Sequence, residues 1–111
     1  MHLSVTSAPG TSPVIVAVAG ELDVATTAEL RQFLHARIDD GATILIANLT
    51  EVAFLDSTAL SVFVGVHKRL REGGGGLTLI SPHERLLRIF RMTALDHVFT
   101  VLTTPPGTAT P

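Results

Sequence analysis

The sequence predicts a single α/β domain, a mixed sheet of four or five strands covered by three or four helices. Short apolar runs rich in β-branched residues alternate with longer stretches of helical periodicity, which places a helix between successive strands. The chain has 111 residues and 46% hydrophobic content, which suits one core rather than two domains. The helical connections predict that the later strands are largely parallel.

Five segments have the composition of strands. Residues 13–20 and 43–49 are apolar runs bounded by turn formers, as buried strands are. Residues 77–81 follow a glycine run, and residues 98–102 precede a segment rich in Thr, Pro and Gly. Residues 2–7 alternate polar and apolar side chains, a pattern that indicates an edge strand.

The first helix is predicted to begin at a capping box formed by Thr26 and Glu29 and to end at Gly41. Its apolar face holds, at helical spacing, Leu30, Phe33, Leu34 and Ile38. The middle helix follows the segment 56–58 and ends at the glycine run 73–76. Its apolar face is made of Leu60, Phe63, Val64, His67 and Leu70.

The third helix is predicted to begin with Ser81 as its cap, Pro82 in the first helical position and Glu84 three residues after the cap. Its apolar side chains are Leu86, Leu87 and Phe90. The element order is therefore β-β-α-β-α-β-α-β.

Two acidic segments, Glu21-Leu22-Asp23 and Asp56-Ser57-Thr58, follow predicted strands. Loops at the carboxyl ends of such strands are where ligands and partners bind, so we expect both segments on one rim of the sheet. Ser57 stands where the N–H groups and dipole of a helix favour a phosphate. The bland interpretation is that Ser57 or Thr58 only caps the helix while Asp56 complements its dipole, and local sequence leaves both interpretations open.

Composition excludes several classes of function. A net charge of −2, a pI near 6.2 and the absence of Tyr and Trp argue against nucleic acid as a direct partner. The absence of cysteine removes disulfides, thiolate zinc sites and cysteine nucleophiles, and suits the cytoplasm. The N-terminal residues do not resemble a signal peptide and no apolar run approaches the ~18 residues of a membrane span, so we expect no membrane partner.

No motif points to catalysis, a metal or a cofactor. Ser57 has no G-x-S-x-G environment that would make it a nucleophile. The glycine run 73–76 closes a helix and lacks a following lysine, unlike a phosphate-binding loop. His67, on an apolar helix face, is expected to be a core histidine with its hydrogen bonds satisfied. Metal-ligand spacing is missing among the five histidines, His2, His35, His67, His83 and His97.

Four segments in order resemble the STAS-domain anti-sigma factor antagonists: "GELDVATTAEL" (20–30), "NLTEVAFLDSTAL" (48–60), "GGLTLISP" (75–82) and "RIFRMTALDHVFTV" (88–101). The resemblance covers roughly residues 13–102. Its most specific part is the family's Asp-Ser-Ser/Thr-Gly-Leu motif, present here as residues 56–60. We expect a STAS-like domain over residues 1–102 and a flexible tail over residues 103–111.

The resemblance implies a phosphorylation switch rather than an enzyme. Ser57 would be phosphorylated by an anti-sigma factor that is also a serine kinase and brings its own ATP and Mg²⁺, with Thr58 as the second-choice acceptor. The unphosphorylated chain would bind that partner through Asp23, Asp56, Ser57, Thr58 and Ala59, and so release a sigma factor. Ala59 replaces the family's usual glycine. This departure keeps open a second role, a scaffold or ligand-sensing domain without regulated phosphorylation, as in stressosomes.

Overall fold

The computed structural model describes residues 3–7, 14–81, 83–95 and 98–103. Within them the elements follow the predicted order, as β1 (Leu3–Ser7), β2 (Val14–Leu22), α1 (Val24–Asp39), β3 (Ile44–Leu55), α2 (Ser57–Glu72), β4 (Gly76–Ile80), α3 (Glu84–Met92) and β5 (Thr100–Leu102). The sheet has the order β1-β2-β3-β4-β5, with β1 antiparallel to β2 and the other pairs parallel. The predicted α/β class is confirmed, and β1 is an edge strand as expected.

The core forms where one face of the sheet meets α1 and α2, which also pack against each other. Val16 of β2 and Ala47 of β3 are neighbours in the ladder, and both are fully buried. Leu34 of α1 and Phe63 of α2 belong to the same cluster and are also fully buried. Each large apolar side chain buried in this way stabilises the fold by about 1.5–3 kcal/mol.

Strand β3 is longer than predicted. The expected strand stopped at residue 49, whereas β3 continues to Leu55 and stays paired with β2. Two irregularities give β3 two more residues than β2 over the shared span. As a result Leu49, Val52 and Leu55 are the buried positions, at a spacing of three rather than two. The expected alternation therefore breaks although the strand does not.

The start of α3 also differs from the prediction. Ser81 is fully buried and its N–H donates to the carbonyl of Leu102 at 2.8 Å, so it extends the pairing with β5 one step beyond β4 and does not cap a helix. Pro82 lies outside the described residues. His83 is the N-cap instead, and its side chain makes no capping hydrogen bond. Its Nε2 donates to the carbonyl of Thr50 at 2.6 Å, in the part of β3 that β4 does not reach.

The glycine run connects α2 to β4, as predicted. Gly74 has a φ of +86°, which disfavours any residue with a side chain. Gly75 lies against the preceding loop, since a Cβ there would be 1.6 Å from the carbonyl oxygen of Thr43. The next residue, Gly76, donates its N–H to that same oxygen at 3.2 Å. Gly74 and Gly75 therefore need glycine for two different reasons.

His67 is half-buried, less deeply than the core position predicted for it, and its Nδ1 has a hydrogen-bond partner. Its Nδ1 accepts the N–H of Leu77 at 3.1 Å, and its ring packs edge-on against Phe99 with the centroids 5.8 Å apart. Burial, with the nearby charge of Arg71 as a smaller cause, lowers the pKa of His67 below its ordinary value of 6.5. The fold therefore favours the neutral ring.

We predict that Gly75→Ala destabilises the domain by about 2–4 kcal/mol, because the new methyl would force the Thr43 carbonyl to move. The matched control is Gly73→Ala. At position 73 φ is −93° and the nearest atom to a Cβ is 3.6 Å away, so alanine fits. Urea unfolding of both variants checks this, and equal midpoints would contradict the close approach at Gly75.

We predict that the free energy of unfolding falls as pH is lowered from about 7 to about 5, partly because of His67. As pH falls, the unfolded chain binds a proton at His67 before the folded chain does, since the folded pKa lies below 6.5. The contribution of His67 to stability is therefore fully present above this value and declines below it. A glutamine at this position still accepts a hydrogen bond but does not titrate. His67→Gln should therefore lose less stability than the wild type over this range, as measured by urea unfolding at each pH. If the free energy of unfolding falls equally in both proteins, the pH dependence belongs to other groups.

Candidate functional site

The two acidic segments leave the sheet side by side. Strands β2 and β3 are parallel neighbours, and their last residues, Leu22 and Leu55, are partners in the ladder. The N–H of Asp56 donates to the carbonyl of Leu22 at 3.1 Å, which extends the pairing one step beyond the strands. Asp23 and Asp56 thus stand at equivalent points, each between a strand and a helix. The expected common rim is present.

Asp23 is the N-cap of α1. Its Oδ1 accepts the N–H groups of Ala25 at 2.9 Å and Thr26 at 3.1 Å, and the Thr26 hydroxyl in turn accepts the N–H of Asp23. A reciprocal capping box therefore exists, but it pairs Asp23 with Thr26, and the prediction of Thr26 with Glu29 was wrong by three residues. The reason is the Thr26 hydroxyl, which donates back to the carbonyl of Glu21 at 2.6 Å and so lies inside the first turn.

Asp56 is the N-cap of α2 by the same geometry. Its Oδ1 accepts the N–H of Thr58 at 3.0 Å, the N–H of Ala59 at 3.3 Å and the hydroxyl of Thr58 at 2.5 Å. The Thr58 hydroxyl is the main reason that the pKa of Asp56 lies below its usual 3.8; partial burial opposes this shift and the two N–H groups add to it. Asp56 is therefore a carboxylate at neutral pH. The interpretation in which Ser57 or Thr58 caps the helix was wrong.

Because Asp56 takes the capping role, Ser57 becomes the first helical residue and its side chain is exposed. No group in the described part of the chain hydrogen-bonds its hydroxyl, while its carbonyl accepts the hydroxyl of Ser61 at 3.2 Å. Thr58 differs, since it is half-buried and its hydroxyl is engaged. The structure thus distinguishes two adjacent hydroxyls by their environments, which local spacing alone could not do.

Ala59, the last of the five residues predicted to bind the partner, is fully buried, and its methyl group belongs to the main core cluster. Its N–H is taken by Asp56. Asp23, Asp56 and Ser57 have surface accessible to a partner, whereas Ala59 supports the rim from below. Alanine is also a good helix former, so it suits this position in the first turn of α2.

Sequence reasoning missed Thr27, which links the two helix starts. Its side chain is 4% exposed, and its hydroxyl donates to the carbonyl of Asp23. The Oγ1 of Thr27 also lies 3.1 Å from the Oγ1 of Thr58 on α2. The available signal was spacing, because Thr27, Leu30 and Leu34 fall on one helical face and all are buried.

Two exposed apolar side chains near the rim were also missed. Val24 is 73% exposed and holds the same place in α1 that Ser57 holds in α2, directly after the capping aspartate. Phe54 is 46% exposed, two residues before Asp56. The rim therefore combines carboxylates, a free hydroxyl and apolar surface, a mixture typical of protein-binding sites.

The described residues were also compared with what a metal site or a membrane-spanning helix requires. Within residues 14–81, 83–95 and 98–103, no three His, Asp or Glu side chains are arranged to hold a metal ion. The three described histidines have partners elsewhere: His35 contacts Arg69, and the other two bond the main chain. None of the helices described here is both long and apolar enough to span a bilayer.

Comparisons with known proteins agree on a family. The STAS domain model matches residues 2–106. The chain is 36% identical over 101 residues to the anti-sigma-B factor antagonist of Bacillus subtilis (strain 168), covering 91% of this chain and 92% of that protein. The crystal structure of an anti-sigma factor antagonist from Mycobacterium paratuberculosis is 27% identical with a TM-score of 0.79, covering 93% of this chain and 87% of that one. The Bacillus cell fate determinant SpoIIAA in its phosphorylated form shares the fold at 22% identity and a TM-score of 0.69, covering 90% and 92% of the two chains. The chain therefore belongs to the STAS-domain family of anti-sigma factor antagonists.

Proposed function

We propose that the chain is a phosphorylation-controlled antagonist of an anti-sigma factor that is itself a serine kinase. The unphosphorylated rim binds this partner, and binding releases a sigma factor. Phosphorylation of Ser57 by the partner then ends the binding. The observation that carries the proposal is the exposed hydroxyl of Ser57, free of hydrogen bonds to described residues and placed between a capping carboxylate and a helix N-terminus.

The charges at the rim explain how one phosphate could end binding. A phosphoserine carries about −1.5 to −2 charges at neutral pH. At Ser57 this charge would stand beside Asp56, which the low pKa keeps ionised, and near Asp23 on the same rim. A partner that fits a hydroxyl flanked by apolar surface would have to desolvate the phosphate, which is costly without new cationic contacts. Binding is lost while the helix N-terminus tolerates the charge.

The partner is expected to supply the nucleotide. The glycine run 73–76 serves as the connection from α2 to β4, with its backbone packed against Thr43, and so is occupied by a structural role. Phosphoryl transfer would thus use ATP and Mg²⁺ bound by the kinase. Binding and phosphorylation would both take place in the cytoplasm, where ATP is available. The phosphorylated form described for SpoIIAA, which shares this fold, supports a phosphorylated state here.

The alternative is a scaffold or ligand-sensing domain without regulated phosphorylation, motivated by Ala59 in place of glycine. The burial of Ala59 weakens this alternative, because the extra methyl lies in the core and leaves Asp56 and Ser57 in place. The two roles separate on one measurement, the transfer of phosphate.

We predict that incubation with a cognate anti-sigma kinase and Mg-ATP adds one phosphate to the wild type and essentially none to Ser57→Ala. Thr58 should remain unlabelled, because its hydroxyl is held by Asp56. Mass spectrometry of the intact protein and its peptides measures both. Equal labelling of Ser57→Ala at Thr58 would refute the assignment of Ser57, and an unlabelled wild type with every such kinase from its genome would favour the scaffold.

We predict that Phe54→Ala weakens capture of the partner about tenfold, because Phe54 is an exposed aromatic side chain beside the rim, and aromatic side chains buried in an interface contribute much of its affinity. Met92→Ala is the matched control, since Met92 is 79% exposed at the end of α3, outside the rim. Calorimetric titration with the same partner compares the two. A similar loss for both variants would mean that the rim is not the contact surface.

A further inference from the structure

Four oxygen atoms form a row that joins the starts of α1 and α2. They are the carbonyl oxygen of Asp23, the hydroxyls of Thr27 and Thr58, and Oδ1 of Asp56. The two outer atoms, a carbonyl and a carboxylate oxygen, can only accept hydrogen bonds. The two hydroxyls therefore supply two hydrogens for three contacts, and one contact must lack a hydrogen.

The distances indicate which contact that is. The Thr27 hydroxyl makes its shorter contact with Asp23, and the Thr58 hydroxyl lies 2.5 Å from Asp56 but 3.1 Å from Thr27. We assign the two hydrogens to the outer contacts, because the carbonyl and carboxylate oxygens there cannot supply a hydrogen of their own. By this assignment the middle contact, 3.1 Å between the two hydroxyl oxygens, is the one without a hydrogen. Thr27 is an acceptor held in reserve for the Thr58 hydroxyl.

Negative charge at Ser57 would bring this acceptor into use. A phosphate or carboxylate on the first residue of α2 repels Asp56 and competes with it for the N–H groups of Thr58 and Ala59. If Asp56 withdraws, the half-buried Thr58 hydroxyl loses its acceptor, and an unsatisfied polar group of this kind is costly. Thr27 needs no movement to replace Asp56, because its own hydrogen already goes to Asp23.

We propose that Thr27 is a positioning residue of the switch, which accepts the Thr58 hydroxyl when charge at Ser57 displaces Asp56. Thr27 would hold the start of α2 in place in the charged state, so that phosphorylation changes the surface without unwinding the helix. The biological meaning of this role rests on the proposed phosphorylation of Ser57, but the physical coupling can be measured without any kinase.

The test is a double-mutant cycle between Ser57→Asp and Thr27→Val, measured by urea unfolding. Valine keeps the shape and branching of threonine but cannot accept a hydrogen bond. The effect of Ser57→Asp on the unfolding equilibrium constant should be about three- to tenfold more unfavourable in the Thr27→Val background than in the wild type. Thr27→Ser, which keeps the hydroxyl, should restore most of this difference.

A purely structural Thr27 would give changes that add, with coupling within about twofold, and this result would overturn the proposal. Equal coupling in the valine and serine backgrounds would also overturn it, because the methyl group rather than the hydroxyl would then be responsible. Failure of every kinase to label Ser57 would defeat the proposed function and leave this coupling intact. The two proposals therefore fail separately.

Discussion

The site depends on the parallel pairing of β2 with β3 up to their last residues. Because Leu22 and Leu55 are partners and Asp56 donates its N–H to Leu22, the chain leaves the sheet twice at the same level. Two aspartates, two helix starts and two exposed first helical residues follow from this one alignment. The rim would not exist if either strand ended a few residues earlier, since the two helices would then begin at different heights.

A division of labour between neighbouring residues makes Ser57 available. A helix start needs an acceptor for its free N–H groups, and Asp56 meets this need with one carboxylate oxygen. The same oxygen accepts the hydrogen bond of the Thr58 hydroxyl, so Asp56 both caps the helix and keeps that neighbouring hydroxyl engaged. Ser57 is left with a side chain that the fold does not use. A residue without a structural task can be modified with little effect on stability, which the proposed phosphorylation of Ser57 would require.

Local patterns in the sequence predicted the order of elements, the edge strand and the meeting of the two acidic segments. They predicted the buried faces of α1 and α2 only in part, since Val62 and Val66 of α2 are buried and were missed. These features depend on periodicity and on the geometry of parallel strands, which nearby residues determine. The helix caps were harder, because Asp23, Thr26 and Ser81 are all good capping residues, and the choice depends on bonds to Glu21 and Leu102 that lie outside the helix. Thr27 was missed because its contact with Thr58 spans 31 residues. The exposure of Phe54 could not be read from an alternation that the irregularities of β3 had already interrupted.

The two irregularities of β3 also decide which face of the sheet its later side chains occupy. Each irregularity accommodates one extra residue of β3, so the side chains that follow it stay on the same face of the sheet as their partners in β2. Val52 follows one extra residue and Leu55 follows two, and both are buried, as partners of Gly20 and Leu22. Without these irregularities the same residues would continue in simple alternation, and Asp56 and Ser57 would not follow β3 in line with Asp23 after β2. A change of length in this stretch therefore preserves the rim only where a bulge absorbs it, and the two irregularities of β3 are as necessary to the site as the aspartate is.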